Sequence, residues 1–248
     1  MAEGLVAADA LGAVRLGVLP AGTANVFAGD VGIRGVEHGF ELLEAGEVRG
    51  IDLGMADDEP FVKSCVAGLT AVASAATTPD MKARFGPFAF VITGVQQAAS
   101  FEGLRLDVEA VGGELTEDET AGERDDGAET LSWSGEALCV LVGNARRFAR
   151  ELGQANVEDG LFDVTLIERM PASDAVAEAI AQQLLGRDTE HVTRQKARRL
   201  RIVGRGDGPI DFSLDGEIRS HDRLDLRVHP DPLRVCVGPD YEPEPTVE

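Results

Sequence analysis

The sequence predicts an α+β chain: an α/β unit over residues 1–47, an antiparallel β-sandwich over 48–238, and a polar tail over 239–248. Three observations carry that division. An apolar run at 14–19 turns at Pro20 and Gly22 into a helical stretch, the order of an α/β unit. From Val48 onward short β-like runs dominate, and turn signals separate most of them, as in a sandwich or split barrel. Only 86–100 and 172–185 interrupt that series as helical stretches.

The elements follow in order. A helix is expected over about 2–11, a strand over 14–19, a helix from about Asn25, and another from Gly35 to a stop at Gly46. Strands are expected at 48–53, 61–68, 104–111, 136–144, 162–168, 196–203, 210–214, 224–229 and 233–237. The helix at 172–185 follows Pro171 and a Ser173-Asp174 cap signal. Between 114 and 129 eight carboxylates face a single Arg124, which reads as a solvated hairpin loop. Calcium loops need an Asp-x-Asp-x-Asp-Gly spacing that this run lacks. Pro-rich 239–248 is expected to fray.

Charge narrows the function classes. Asp and Glu number 44 against 23 Lys and Arg, a formal net charge of −21. Only Lys63, Lys82 and Lys196 are lysines. Such a surface suits molar salt, where screening removes self-repulsion, so a halophilic source is expected. The same charge excludes nucleic acid as a partner, because phosphate backbones need a basic face. No apolar run approaches a membrane span and no signal-peptide pattern opens the chain, so a cytoplasmic location is expected. Cys65, Cys139 and Cys236 lack zinc or disulfide spacing and read as small buried core residues.

Several residues could carry chemistry, and each has a plainer reading. The Gly22-Thr23 turn is either a simple strand-to-helix connection or a phosphate cradle of backbone N–H groups and a hydroxyl. Asn25 caps the next helix or joins that cradle. Asp215-Gly216 is first of all a type I′ hairpin signal, and Glu217 after it can project into a cleft. Asp159-Gly160 is first of all a turn. Lys63, Lys82, Arg84, Arg146 and Arg147 either steer phosphates or pair with the acidic excess. Phe85, Phe88, Phe90, Val91, Ile92 and Val95 make an apolar helix face that packs in a core or lines an acyl pocket. His38, His191, His221 and His229 fall in no catalytic pattern.

Five landmarks in order carry a family resemblance. Leu16-Gly17-Val18-Leu19-Pro20-Ala21-Gly22-Thr23-Ala24-Asn25-Val26-Phe27-Ala28 resembles the LGxxPxGTxNxFA segment of the diacylglycerol kinase catalytic family. The runs 51–54 with 61–68, 82–90, 142–144 with 156–164, and Leu214-Asp215-Gly216-Glu217 are similar to its later landmarks. That family includes bacterial and archaeal lipid kinases and sphingosine kinases, with NAD kinases as distant relatives. The resemblance implies that residues 1–47 are part of an ATP-binding domain, with Gly22, Thr23 and Asn25 near the nucleotide. It implies Glu217 as the general base at a lipid hydroxyl. It also implies a structural Mg2+ held by the Asp159 carboxylate and the carbonyls of Asn156 and Leu161. The family's Gly-Gly-Asp-Gly-Thr phosphate loop does not occur in the chain, so the sequence is expected to open inside that domain. Three functions follow as expectations: a lipid kinase with peripheral membrane contact, a non-catalytic homologue binding lipid or protein, or an NAD kinase-like enzyme. A truncated sheet edge would favour homo-oligomers.

Overall fold

A computed structural model describes residues 1–22, 25–68, 103–112, 130–145, 156–169 and 191–245. Thr23, the expected helices at 86–100 and 172–185, the acidic run 114–129, Lys82, Arg84, Arg146 and Arg147 lie outside the described residues.

Three helices fall in the first 45 residues: α1 (Ala2–Ala7), α2 (Val26–Asp30) and α3 (Val36–Ala45). β1 is only Arg15–Leu16 and pairs parallel with the far end of β12 (Arg223–Val237). The expected strand at 14–19 is therefore shorter than its apolar run, because it has one partner and Pro20 follows. Residues 1–47 form no separate sheet among the described residues; β1 extends the sheet built by the rest of the chain.

That sheet is otherwise antiparallel, in the order β11-β10-β4-β6-β5-β9-β12-β2-β3, with β7 and β8 branching from β6. β2 (Glu47–Ala56) and β3 (Glu59–Phe61) form a hairpin whose Gly54 lies against the Phe61 ring. β4 (Ser64–Gly68) pairs with β6 (Thr130–Gly143), whose first half pairs with β5 (Leu104–Val111) and whose second half pairs with β7 (Phe162–Glu168). β8 (Val192–Ala197) stays with β7, while β9 (Arg199–Gly204) joins β5 and β12. β10 (Ile210–Leu214) and β11 (Glu217–His221) close a two-residue hairpin. By exchanging partners along β6 and between β8 and β9, the sheet curls over its own apolar face, as a sandwich requires.

Strand alternation fills the interior. Leu106, Val108 and Ala110 of β5 and Leu200 and Ile202 of β9 point into the main core, while Arg199 and Arg201 face water. Phe61 and Phe162 stack in that core with ring centroids 5.6 Å apart. A second cluster joins Ile51, Leu53 and Met55 to Leu233, Val235 and the residues under α1 and α2.

β2 and β6 run longer than the expected 48–53 and 136–144, and three other expected strand runs differ, each for a local reason. The run 61–68 breaks at Val62 and Lys63, whose N–H groups leave the ladder for the Asp215 carboxylate. The run 196–203 breaks at buried Arg198, where the chain changes partners and Arg198 N donates to Val111 O at 2.9 Å. The two runs 224–229 and 233–237 are one strand. Pro230 and Pro232 sit in a register shift, and Asp231, at φ +54°, gives its N–H to Asp52 Oδ1 at 3.1 Å. All three cysteines are free and buried.

Candidate functional site

A cleft of about 300 Å³ opens where α1, β1 and α2 face β3 and the β10–β11 hairpin. Leu16, Phe27, Leu233 and Val235 give it an apolar floor, and Glu59, Glu217 and Arg219 stand on its rim.

The hairpin turn sets the rim. Asp215 and Gly216 both have positive φ, +51° and +106°, as a two-residue type I′ turn needs. The Asp215 carboxylate accepts backbone N–H from Val62 at 2.7 Å, Lys63 at 2.8 Å and Ser64 at 2.9 Å. Asp215 N returns a bond to Ser64 O at 2.9 Å. One side chain thus ties the turn to the β3–β4 connection and fixes where the next residue emerges. That residue is Glu217, the first of β11, with an exposed carboxylate beside the cleft. Strand period places Arg219 on the same face two residues on. Arg219 Nη2 lies 3.0 Å from Glu217 Oε2, and its Nε donates to Glu59 Oε2 at 2.6 Å. The paired carboxylates, Glu59 first, hold the Arg219 guanidinium above its usual range.

The Pro20–Asn25 turn has a different geometry. Asn25 occupies the N-cap position of α2 at φ +48°, without capping the helix through its side chain. Its Oδ1 instead accepts Gly22 N at 2.8 Å, closing the turn on itself. Phe27, two residues on, is the α2 residue that lines the cleft; Gly22 and Asn25 do not line it.

The loop 156–161 is held on the other side of β2. Asp52, 1% exposed, donates its N–H to Val157 O at 2.8 Å, and its Oδ2 accepts Gly160 N at 2.7 Å. Burial pushes the Asp52 carboxyl up to about 7, against the two N–H donors that favour the carboxylate. Asn144, also buried, donates to the carbonyls of Asp52 and Val62 at 2.9 and 2.8 Å, linking this loop to the β3–β4 connection. Burial acts to raise the Glu158 carboxyl, and Arg49 and Tyr241 outweigh it, leaving it below the usual range. The Asp159 carboxylate accepts Leu161 N at 3.1 Å and pairs with Lys196, Nζ to Oδ2 at 2.5 Å. A magnesium ion needs oxygens at about 2.0–2.1 Å in an octahedron. Of the expected ligands, the Asp159 carboxylate has both oxygens engaged, one by Leu161 N and the other by Lys196 Nζ, so it does not fit the ion while Lys196 stands there. No group of three or more His, Cys, Asp or Glu gathers at a metal-binding spacing among the described residues.

The structure therefore brings Glu217 to a cleft and leaves Asn156, Asp159 and Leu161 in a separate, self-bonded loop. Glu59, Arg219, Asp52 and Lys196 are the residues that sequence reasoning passed over. Arg219 had a readable signal, since a hairpin at Asp215-Gly216 puts residues 217 and 219 on one face. Lys196 had none, being paired across 37 residues of sequence.

The chain belongs to the diacylglycerol-kinase-like lipid kinase family. Within it, residues 63–237 match the family described as YegS C-terminal NAD kinase beta sandwich-like domain. Among curated relatives, "Probable lipid kinase YegS-like" of Pseudomonas putida is 28% identical over 237 residues, covering 94% of this chain and 70% of the relative. "Lipid kinase YegS" of Escherichia coli K12 is 25% identical over 231 residues, covering 91% of this chain and 69% of the relative. Among solved structures, a diacylglycerol kinase from Bacillus anthracis aligns with a TM-score of 0.61 at 14% identity, over 97% of this chain and 75% of the other. That likeness speaks to the fold. No helix among the described residues is long and apolar enough to cross a membrane.

Proposed function

We propose that the chain works as an ATP-dependent lipid kinase, moving a phosphoryl group to the hydroxyl of a diacylglycerol, a dialkylglycerol or a sphingoid base. The observation that carries this reading is the cleft with an apolar floor and Glu217 on its rim. An apolar floor suits a lipid acceptor, and an exposed carboxylate at the edge, braced by Arg219, suits a base that must reach its hydroxyl. Bound ATP supplies the γ-phosphoryl group, and the magnesium it carries spreads the developing charge.

Glu217 takes the proton from the attacking hydroxyl. Arg219, anchored by Glu59, holds the Glu217 carboxylate at the rim. Asp215 holds the whole turn. Gly22, Thr23 and Asn25 belong to the nucleotide side by family resemblance, and Asn25 must release Gly22 N before that amide can meet a phosphate. The acceptor reaches the cleft from a membrane surface that the protein touches peripherally.

A second reading, phosphorylation of NAD, is favoured by the matched family's description as NAD kinase beta sandwich-like. One assay separates them: γ-labelled ATP with magnesium, offered NAD, dialkylglycerol, diacylglycerol and a sphingoid base side by side. Label is expected on a lipid, with Glu217→Gln lowering kcat about 10²–10⁴-fold, the usual contribution of a general base. Label on NAD alone overturns the lipid reading. Lipid binding without any transfer makes the chain a non-catalytic lipid-binding homologue.

A further inference from the structure

Among the described residues, several protein groups hold the loop at 156–161. Asp52 holds Val157 O and Gly160 N. Arg49 and the Tyr241 hydroxyl hold Glu158, the latter at 2.6 Å. Asn156 and Asp159 each turn a side-chain oxygen onto an N–H two residues ahead, at Glu158 and Leu161. The ammonium of Lys196 stands beside it, 2.5 Å from Asp159 Oδ2 and 3.3 Å from Asp163 Oδ1.

We propose that Lys196 takes the place of a divalent cation at this loop, so that the chain closes its Asp159 turn without metal. The register supports it. Lys196 and Asp163 are direct partners across β7 and β8, so their side chains leave the same face at the shortest cross-strand distance. Chemistry supports it too. An ammonium is a compact point charge with three donors, closer to a metal ion than the planar fork of arginine. Of 23 basic residues only three are lysines, and one of them stands here. A divalent ion on Asp159 Oδ2 would stand beside that ammonium, and the like charges exclude each other.

Thermal melts of the chain without nucleotide test this, in excess EDTA and in excess magnesium chloride at matched ionic strength. The wild-type midpoint is expected to be the same in both, apart from the general response that Asp159→Asn also shows. Lys196→Met keeps the apolar stem and removes the charge, leaving Asp159 and Asp163 to repel. Its midpoint in EDTA is expected to fall by roughly 3 °C or more. Magnesium is expected to restore it, because the vacated carboxylates can then share the ion. A wild-type gain in magnesium exceeding that of Asp159→Asn overturns the proposal. So does a one-site binding heat when the wild-type chain is titrated with magnesium chloride, a readout that needs no variant. Neither measurement uses phosphoryl transfer, so the result stands apart from the kinase reading.

Discussion

Asp52 joins three segments distant in sequence: β2, the Asp159 loop and the irregularity of β12. Its two carboxylate oxygens each accept one N–H, from Asp231 and Gly160, while its side chain is sealed from water. Burial pushes its carboxyl up to about 7, whereas in the unfolded chain it titrates near its ordinary value of about 3.9. Between those values the folded form keeps a proton that the unfolded form releases. Asp52 therefore makes stability fall as pH rises from about 4 to about 7, and stay level above that. Glu158 has the opposite sign, its lowered carboxyl adding stability that is lost as pH falls below the ordinary glutamate range. Asp52→Asn is expected to remove the slope between pH 4 and 7. It should also lower stability overall by about 1–3 kcal/mol, since the amide NH2 replaces one acceptor oxygen and faces an N–H donor. Denaturant melts across that pH range measure both effects. An unchanged slope in the variant would assign the titration to another group.

At the scale of elements, what alternation alone determines was readable. The strands at 104–111, 162–168 and 210–214 begin and end where the apolar period does. What depends on remote partners was not. The break after Phe61 exists because Asp215, some 150 residues away, collects three N–H groups there. The break at Arg198 marks a change of neighbours, and β12 runs through two prolines because Asp52 receives the N–H between them. The site divides the same way. Glu217 at a cleft edge was legible from a hairpin signal and a family motif, while its brace from Glu59 through Arg219 spans 160 residues. Asp215 is the element-level keystone, and Asp215→Ala tests it. Removing three acceptor bonds to a half-buried connection is expected to cost about 3 kcal/mol, within the range of unsatisfied donors that water can partly reach. Guanidinium melts give the stability, and amide exchange at Val62, Lys63 and Ser64 should accelerate more than exchange in β5. Uniform acceleration across both would mean that Asp215 supports the whole sheet rather than this connection.

The molecule as a whole carries 44 acidic and 23 basic side chains, and its exposed strand faces pair what they can. Arg201 on β9 bonds Asp225 on β12 at 2.6 Å, Arg205 meets Asp107 at 3.3 Å, and Arg169 meets Glu136 at 2.9 Å. Each such exposed pair is worth about 0–1 kcal/mol, and salt weakens it. The uncompensated charge of −21 works the other way, because its repulsion acts over many pairs at once and salt relieves it. Screening length falls from about 10 Å at 0.1 M salt to about 3 Å at 1 M, a change that long-range repulsion feels more than contacts under 4 Å do. Repulsion should therefore dominate the balance. The thermal midpoint is expected to rise steadily from dilute to molar KCl, which also serves as the test of a salt-adapted source. Sodium sulfate is a poor substitute in that experiment, since it strengthens apolar burial in any protein and would raise the midpoint for a different reason. A flat or falling midpoint in KCl would mean that the local ion pairs outweigh the net charge and that the acidic surface has no tie to salt.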